Sequence, residues 1–304
     1  MKTKKIISLS LLLSAAMLWG FAFAAQGRAA KVGAFSLGAA RSFLASLFLI
    51  GVIIILDKAK GERKLFSKKG IDINRSEFVG GVICGIILAV ASAFQQIGIN
   101  SGVDSGKAAF ITALYVVMVP VYALPLGRRA PVRVWIGVAV AAVGFYFLCI
   151  KENLSILPED LLVIACALIF PIHILTIDYF SQRCDGVRMS LIQFITACAV
   201  NLVIALITEN PQEQLPLIAD AILPILYLGI ASSGIAYTLQ IIGQRDANPA
   251  AASIILSLES VFGVVGAAFF LGTTLSPREY LGCAIVLSAV IISQLDFKKK
   301  DKNN

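Results

Sequence analysis

Long apolar runs separated by short polar connections fill the chain from end to end. A helix needs roughly 20 largely apolar residues to cross a hydrocarbon core of about 30 Å. Ten stretches fit: residues 6–25, 36–56, 79–98, 106–126, 132–150, 159–179, 188–207, 219–242, 249–271 and 277–295. The breaks carry glycine, proline, asparagine, aspartate or charge, as in Gly127-Arg128-Arg129, Asn210-Pro211 and Asp246-Ala247-Asn248-Pro249, the residue types that end and start helices. The pattern predicts an all-α membrane protein of ten transmembrane helices, with no segment left for a soluble domain.

Composition agrees: 58% of the 304 residues are hydrophobic before 24 glycines are counted, and 14% are charged. Soluble domains carry about 45–50% apolar residues with glycine included. Six cysteines, at 84, 149, 166, 184, 198 and 283, fall mostly inside spans without CxxC or CxxH spacing, a pattern that suggests neither a disulfide framework nor a zinc site. No metal and no cofactor is expected.

Charge sets the expected orientation. With the N-terminus inside, 20 of the 26 cations fall in cytoplasmic segments and five in external ones, the last being Arg41 within helix 2. Such asymmetry in short loops is the positive-inside signal, and it predicts a multi-pass protein of the cytoplasmic membrane with both termini cytoplasmic. The connection from Asp57 to Phe78 holds seven cations against four acids. Because that charge flanks two spans and has no aromatic interleaving, nucleic acid is not an expected partner. Met1-Lys2-Thr3-Lys4-Lys5, an apolar run and Ala22-Phe23-Ala24-Ala25 also resemble a signal peptide; the segment is read instead as an uncleaved first helix, because the repeat described next needs it.

A shift of 145 residues aligns Ala109–Phe145 with Ile254–Val290 without a gap. Aliphatic identities mean little in an apolar background, but Gly127/Gly272, Gly137/Gly282 and Arg133/Arg278 also fall in register. Helices 4 and 5 then correspond to helices 9 and 10, and the chain divides into repeats at 1–155 and 156–304. Five spans per half invert the second half. Inverted repeats are the device by which secondary transporters build alternating access around a midplane site.

Ionisable groups at membrane depth cost roughly 2.5–3.5 kcal/mol on insertion scales and mark function or a tight pair. Arg41, His173 and Glu259 are such groups, separated in depth by about 14 Å at ~1.5 Å per residue. Glu259 reads either as a proton or substrate-cation site or as a partner for Arg41 or a helix end. Arg41 reads as a structural ion-pair partner or a side chain reaching for the interface. His173, the sole histidine, is a packing residue beside Pro171 or a proton relay. Ser233, Tyr237, Gln240 and Gln244 share one face of helix 8. Thr112, Tyr115 and Tyr122 share a face of helix 4, and Ser92, Gln95 and Gln96 mark helix 3. These stripes line a pathway or act as interhelical glue. Pro120, Pro171 and Pro224 predict kinks.

Leu18-Trp19-Gly20-Phe21, Ala40-Arg41-Ser42-Phe43, Lys107-Ala108-Ala109-Phe110-Ile111-Thr112-Ala113-Leu114-Tyr115 with Pro120, and Ser257-Leu258-Glu259-Ser260-Val261-Phe262 resemble the EamA-type permeases of the drug/metabolite transporter superfamily, over nearly the whole chain. The resemblance implies a ten-helix inverted-repeat permease that exports or exchanges metabolites such as amino acids, with a cavity lined by helices 1, 3, 4, 6, 8 and 9. The chain departs from the family at Ser260, where a proline is usual, and at Thr273 and Arg128, where carboxylates are common. The expected function is therefore secondary transport by alternating access, with Glu259, Tyr115, Gln95, His173, Tyr237, Gln240 and Trp19 as pathway residues. The expected partners are a small-molecule solute and the lipid bilayer, with proton coupling through Glu259 and a homodimer as open alternatives. A sensor or assembly scaffold is the second functional class. An intramembrane enzyme is the third, disfavoured by one histidine and no HExxH or GxSxG; no catalytic residue is expected.

Overall fold

The computed structural model describes residues 2–60, 65–67, 70–149, 157–271 and 276–294. Outside it lie the expected boundary at 155/156, Gly272, Thr273, Lys151, the loop cations Arg63, Lys64, Lys68 and Lys69, and the basic tail.

Apolar runs became helices, and polar punctuation set their ends. The helices are α1 (Lys2–Arg28), α2 (Ala34–Lys60), α3 (Arg75–Asn100), α4 (Ser105–Ala113), α5 (Tyr115–Ala123), α6 (Val132–Cys149), α7 (Asp160–Ser181), α8 (Gly186–Thr208), α9 (Pro211–Asp220), α10 (Ile222–Leu226), α11 (Thr238–Gln244), α12 (Pro249–Leu256), α13 (Glu259–Leu271) and α14 (Pro277–Gln294). A π-helical segment, Tyr227–Tyr237, joins α10 to α11. Between α2 and α3, Phe66–Ser67 and Gly70–Ile71 (β1 and β2) form a two-residue antiparallel ladder. Among the described residues, seven helical stretches are long and apolar enough to cross a membrane: α1, α2, α3, α4–α5, α7, α8 and α10–α11. The other three predicted spans correspond to α6, α12–α13 and α14.

Capping follows the sequence signals. Asn74 and Glu77 close a capping box on α3, Asp104 and Asp185 cap α4 and α8, and Asn210-Pro211 and Asn248-Pro249 start α9 and α12 with proline in the first turn. After α5 the chain turns at Gly127, whose φ of 73° is a left-handed conformation that glycine adopts without steric penalty. Helix α9 was not anticipated; none of its residues is buried, and its length places it along a connection rather than across a membrane.

Two predicted spans are broken mid-course. The α4–α5 helix is interrupted at Leu114, where Leu114 N donates to Ile111 O and Val117 N to Leu114 O, bonds of three-residue span. The α12–α13 helix is interrupted at Ser257–Leu258. There Ser257 Oγ donates to Ile254 O at 2.8 Å, a back-bond that competes with helical pairing.

Helix α1 runs through the middle, against α4, the π segment, α11, α12 and α13. Helix α2 packs on α8 and the π segment, α3 on α7 and α8, and α6 lies along α14. The largest core cluster joins residues of α1, α5, α6, α7 and α12 to α14. Large apolar side chains point outward instead, among them Leu47 and Ile55 on α2 and Val203 and Ile207 on α8. An outward apolar face on a helical body with internally paired backbone is what contact with lipid requires, so this is a multi-pass membrane protein.

Buried charge at helix ends is paired. Lys107 Nζ donates to Asp160 Oδ2 at 2.5 Å, Arg188 to Asp57 Oδ1 at 2.6 Å, and Arg128 pairs with Asp178 of α7. Arg128, a departure from the permease pattern, thus anchors the turn after α5 to α7.

Candidate functional site

A cavity of about 560 Å³ opens where the two broken helices meet α1, α2, α3, α7 and the π segment. Trp19, Gln95, Tyr115, His173, Tyr237, Gln240 and Glu259 all line it, as does Arg41. Glycine sets the closeness of the helices here: a Cβ on Gly20 would fall 2.7 Å from the Glu259 carbonyl oxygen. Trp19 on α1 is thereby held beside the start of α13.

One wall is aromatic. The rings of Trp19 and Tyr237 lie 4.6 Å apart, His173 meets Tyr237 edge-on at 5.7 Å, and Tyr115 faces Phe170 at 6.5 Å. A second wall is a chain of amides: Gln26 Nε2 donates to Gln95 Oε1 and Gln95 Nε2 to Thr112 Oγ1, both at 2.9 Å. This chain fixes α1, α3 and α4 to one another through polar groups that need partners away from water.

The π segment presents two serines to the cavity region. A π turn widens the hydrogen-bond spacing and is frequent at functional sites. Ser232 O accepts from Trp19 Nε1 at 3.0 Å. Arg41 Nε donates to Ser233 Oγ at 3.0 Å and Nη2 to Ser232 Oγ at 3.3 Å. Among the described residues Arg41 makes no ion pair, so the pairing with Glu259 offered as one reading of the sequence does not form. The serine hydroxyls take its place, because π winding brings two consecutive serines up to the guanidinium.

Glu259 is 5% exposed at the first residue of α13. Among the described residues its Oε1 has no hydrogen-bond partner, and the Tyr115 hydroxyl is a polar group within reach of the carboxyl. His173 is fully buried, with Nε2 3.1 Å from Gln193 Oε1. Gln240 Oε1 is likewise buried without a partner among the described residues. Ser260 donates to Ala109 O at 3.3 Å, tying α13 to α4 where the permease pattern has proline.

The polar stripes divide. Tyr237 and Gln240 face the cavity, whereas Ser233 supports Arg41 and Gln244 donates to Ile174 O at 3.2 Å. Thr112 and Tyr115 line the cavity while Tyr122 packs against the core. Ser92 lines it too, and Gln96 bonds Asn100 Oδ1 at 2.8 Å. Sequence reasoning missed Gln26, Gln193 and Ser232. Gln26 falls one residue past the apolar run 6–25, and an amide inside the apolar run of α8 is the legible signal for Gln193.

The chain matches the model of the EamA-like transporter family over residues 6–150 and 157–294. It is 28% identical over 282 residues to a protein of Archaeoglobus fulgidus described as an uncharacterized transporter, covering 92% of this chain and 83% of that one. It is 25% identical over 217 residues to the inner membrane transporter YedA of Escherichia coli K12, described as uncharacterized, covering 69% and 68% of the two chains. A solved crystal structure, 16% identical, superimposes with a TM-score of 0.75 over 96% of both chains, a likeness of fold.

Proposed function

Because the chain belongs to the EamA-like transporter family, we propose that it is a secondary transporter that exports or exchanges small metabolites, such as amino acids, by alternating access around the central cavity. The observation that carries this reading is the meeting of two interrupted helices at a polar cavity. Discontinuous helices in corresponding positions of two halves, with the site at their junction, are the architecture of many secondary transporters. The 145-residue shift that aligns the halves carries Leu114, where α4–α5 breaks, onto Glu259, where α13 begins.

Ten spans in two inverted five-helix repeats, 1–155 and 156–304, fit this reading. Helices α6 and α14 are 18 residues each, about 27 Å at ~1.5 Å per residue, close to a hydrocarbon core. Their packing is reciprocal: a Cβ on Gly137 would meet Ala289 O at 3.1 Å, and one on Gly144 would meet Gly282 O at 3.1 Å. The shift exchanges these two contacts, as a two-fold axis does. The distribution of cations supports cytoplasmic termini in a cytoplasmic membrane.

In this reading Glu259, Tyr115, Gln95, His173, Tyr237, Gln240 and Trp19 form the solute pathway, and Glu259 is the candidate for proton coupling. The test is counterflow of labelled amino acids and metabolites in proteoliposomes, comparing wild type with Glu259→Gln and Gln240→Ala. Saturable flux that falls in folded variants is expected. Absence of flux for every solute, together with co-purification of a stoichiometric subunit, would instead favour a scaffold.

A further inference from the structure

We infer that the cavity recognises a dipolar solute, with Arg41 and its two serines as a carboxylate subsite and Glu259 as the opposing subsite for an ammonium group. The inference rests on the transport reading and adds which end of the solute each side chain takes.

The cavity holds one cation and one carboxylate, and they are not paired with each other. Arg41 has five N–H donors in a fixed fork, of which two are engaged, both by neutral hydroxyls of Ser232 and Ser233. Its natural counterpart is a planar anion bound by two parallel bonds, the geometry of a carboxylate. Glu259 is 5% exposed and, among the described residues, its Oε1 has no partner; this buried acceptor calls for a donor, and a charged ammonium is the strongest. Tyr237 lines the same cavity, its ring 4.6 Å from that of Trp19.

A buried charge lacking its counter-charge costs several kcal/mol. A solute carrying an anion at one end and a cation at the other satisfies both groups together and leaves the cavity neutral overall. A solute with one charge satisfies one group and strands the other. The Trp19, Tyr237 and Phe170 rings form the remaining wall, which suits an apolar or aromatic side chain and offers π faces to the ammonium.

The chain has two tryptophans, and Trp135 sits on α6, outside the cavity lining. A Trp135→Phe background therefore makes Trp19 a fluorescence reporter of occupancy. The probes are L-phenylalanine, its methyl ester and N-acetyl-L-phenylalanine, which remove the anion and the cation in turn. L-phenylalanine is expected to bind at least about tenfold tighter than either derivative, one charge-assisted pair being lost in each. Arg41→Gln should weaken L-phenylalanine about tenfold and barely change the ester; Glu259→Gln should do the same with the N-acetyl compound as the insensitive probe. Equal binding of all three probes to the otherwise wild-type protein, or no response to any of them, would overturn the proposal without recourse to a variant. So would variants that weaken all three probes equally. Selective binding of L-phenylalanine without counterflow would support the two subsites and overturn the transport reading. Flux of solutes lacking either charge, with no selectivity among the probes, would overturn the subsites and leave transport standing.

Discussion

The crossing of α1 over α13 gives the sharpest test of how the site is held. At Gly20 an added Cβ would lie 2.5 Å from Phe262 Cβ and 2.7 Å from both Glu259 O and Gly263 N. Carbon contacts favour about 3.5–4.0 Å, and none of these three atoms can swing away on a side-chain torsion. Gly20→Ala must therefore push α1 and α13 apart by about 1 Å, an overpacking cost of roughly 1–3 kcal/mol. Exchanging glycine for alanine in a helix returns about 1 kcal/mol of propensity, so the net loss is about 0–2 kcal/mol. Gly51→Ala is the control, because no atom of the described residues lies within 4 Å of its added carbon and the propensity gain stands alone. The two variants should differ by the overpacking cost itself, about 1–3 kcal/mol, in equilibrium unfolding by SDS titration in mixed micelles followed by circular dichroism. Gly20→Ala should also weaken L-phenylalanine quenching, since the displaced interface joins Trp19 to Glu259. Equal unfolding midpoints for Gly20→Ala and Gly51→Ala would refute the close crossing.

Other outcomes follow from the polar contacts. Asp57→Ala leaves Arg188, 3% exposed, without its carboxylate and should destabilise the protein by about 3–5 kcal/mol, read in the same titration. Glu209 accepts from Phe35 N and Ser36 N at the start of α2 at 3.0 and 2.8 Å; Glu209→Ala should cost about 1–2 kcal/mol and speed amide exchange in the first turn of α2. Gln95→Leu removes the link between Gln26 and Thr112, stranding two buried groups at roughly 1–3 kcal/mol, and unaltered stability would argue against the amide chain.

The sequence by itself determined where the long apolar helices run and the environment they require, but neither α9 nor the breaks at Leu114 and Ser257–Leu258. Apolar runs of membrane length, Asn-Pro starts and the glycine after α5 act locally, through hydration and backbone geometry, and need no partner elsewhere in the chain. It also singled out side chains that do not belong in lipid, and Arg41, His173 and Glu259 among them line the cavity, because a buried charge has nowhere cheaper to go. Tertiary structure alone decided how they are matched. When a helix is apolar around most of its circumference, periodicity does not say which face meets which neighbour, so α1 at the centre was not legible. Nor was the choice of partner for Arg41. The carboxylate of Glu259 was the obvious candidate on charge, yet π winding, which has no signature in an apolar run, turned Ser232 and Ser233 toward the guanidinium and left Glu259 facing the cavity.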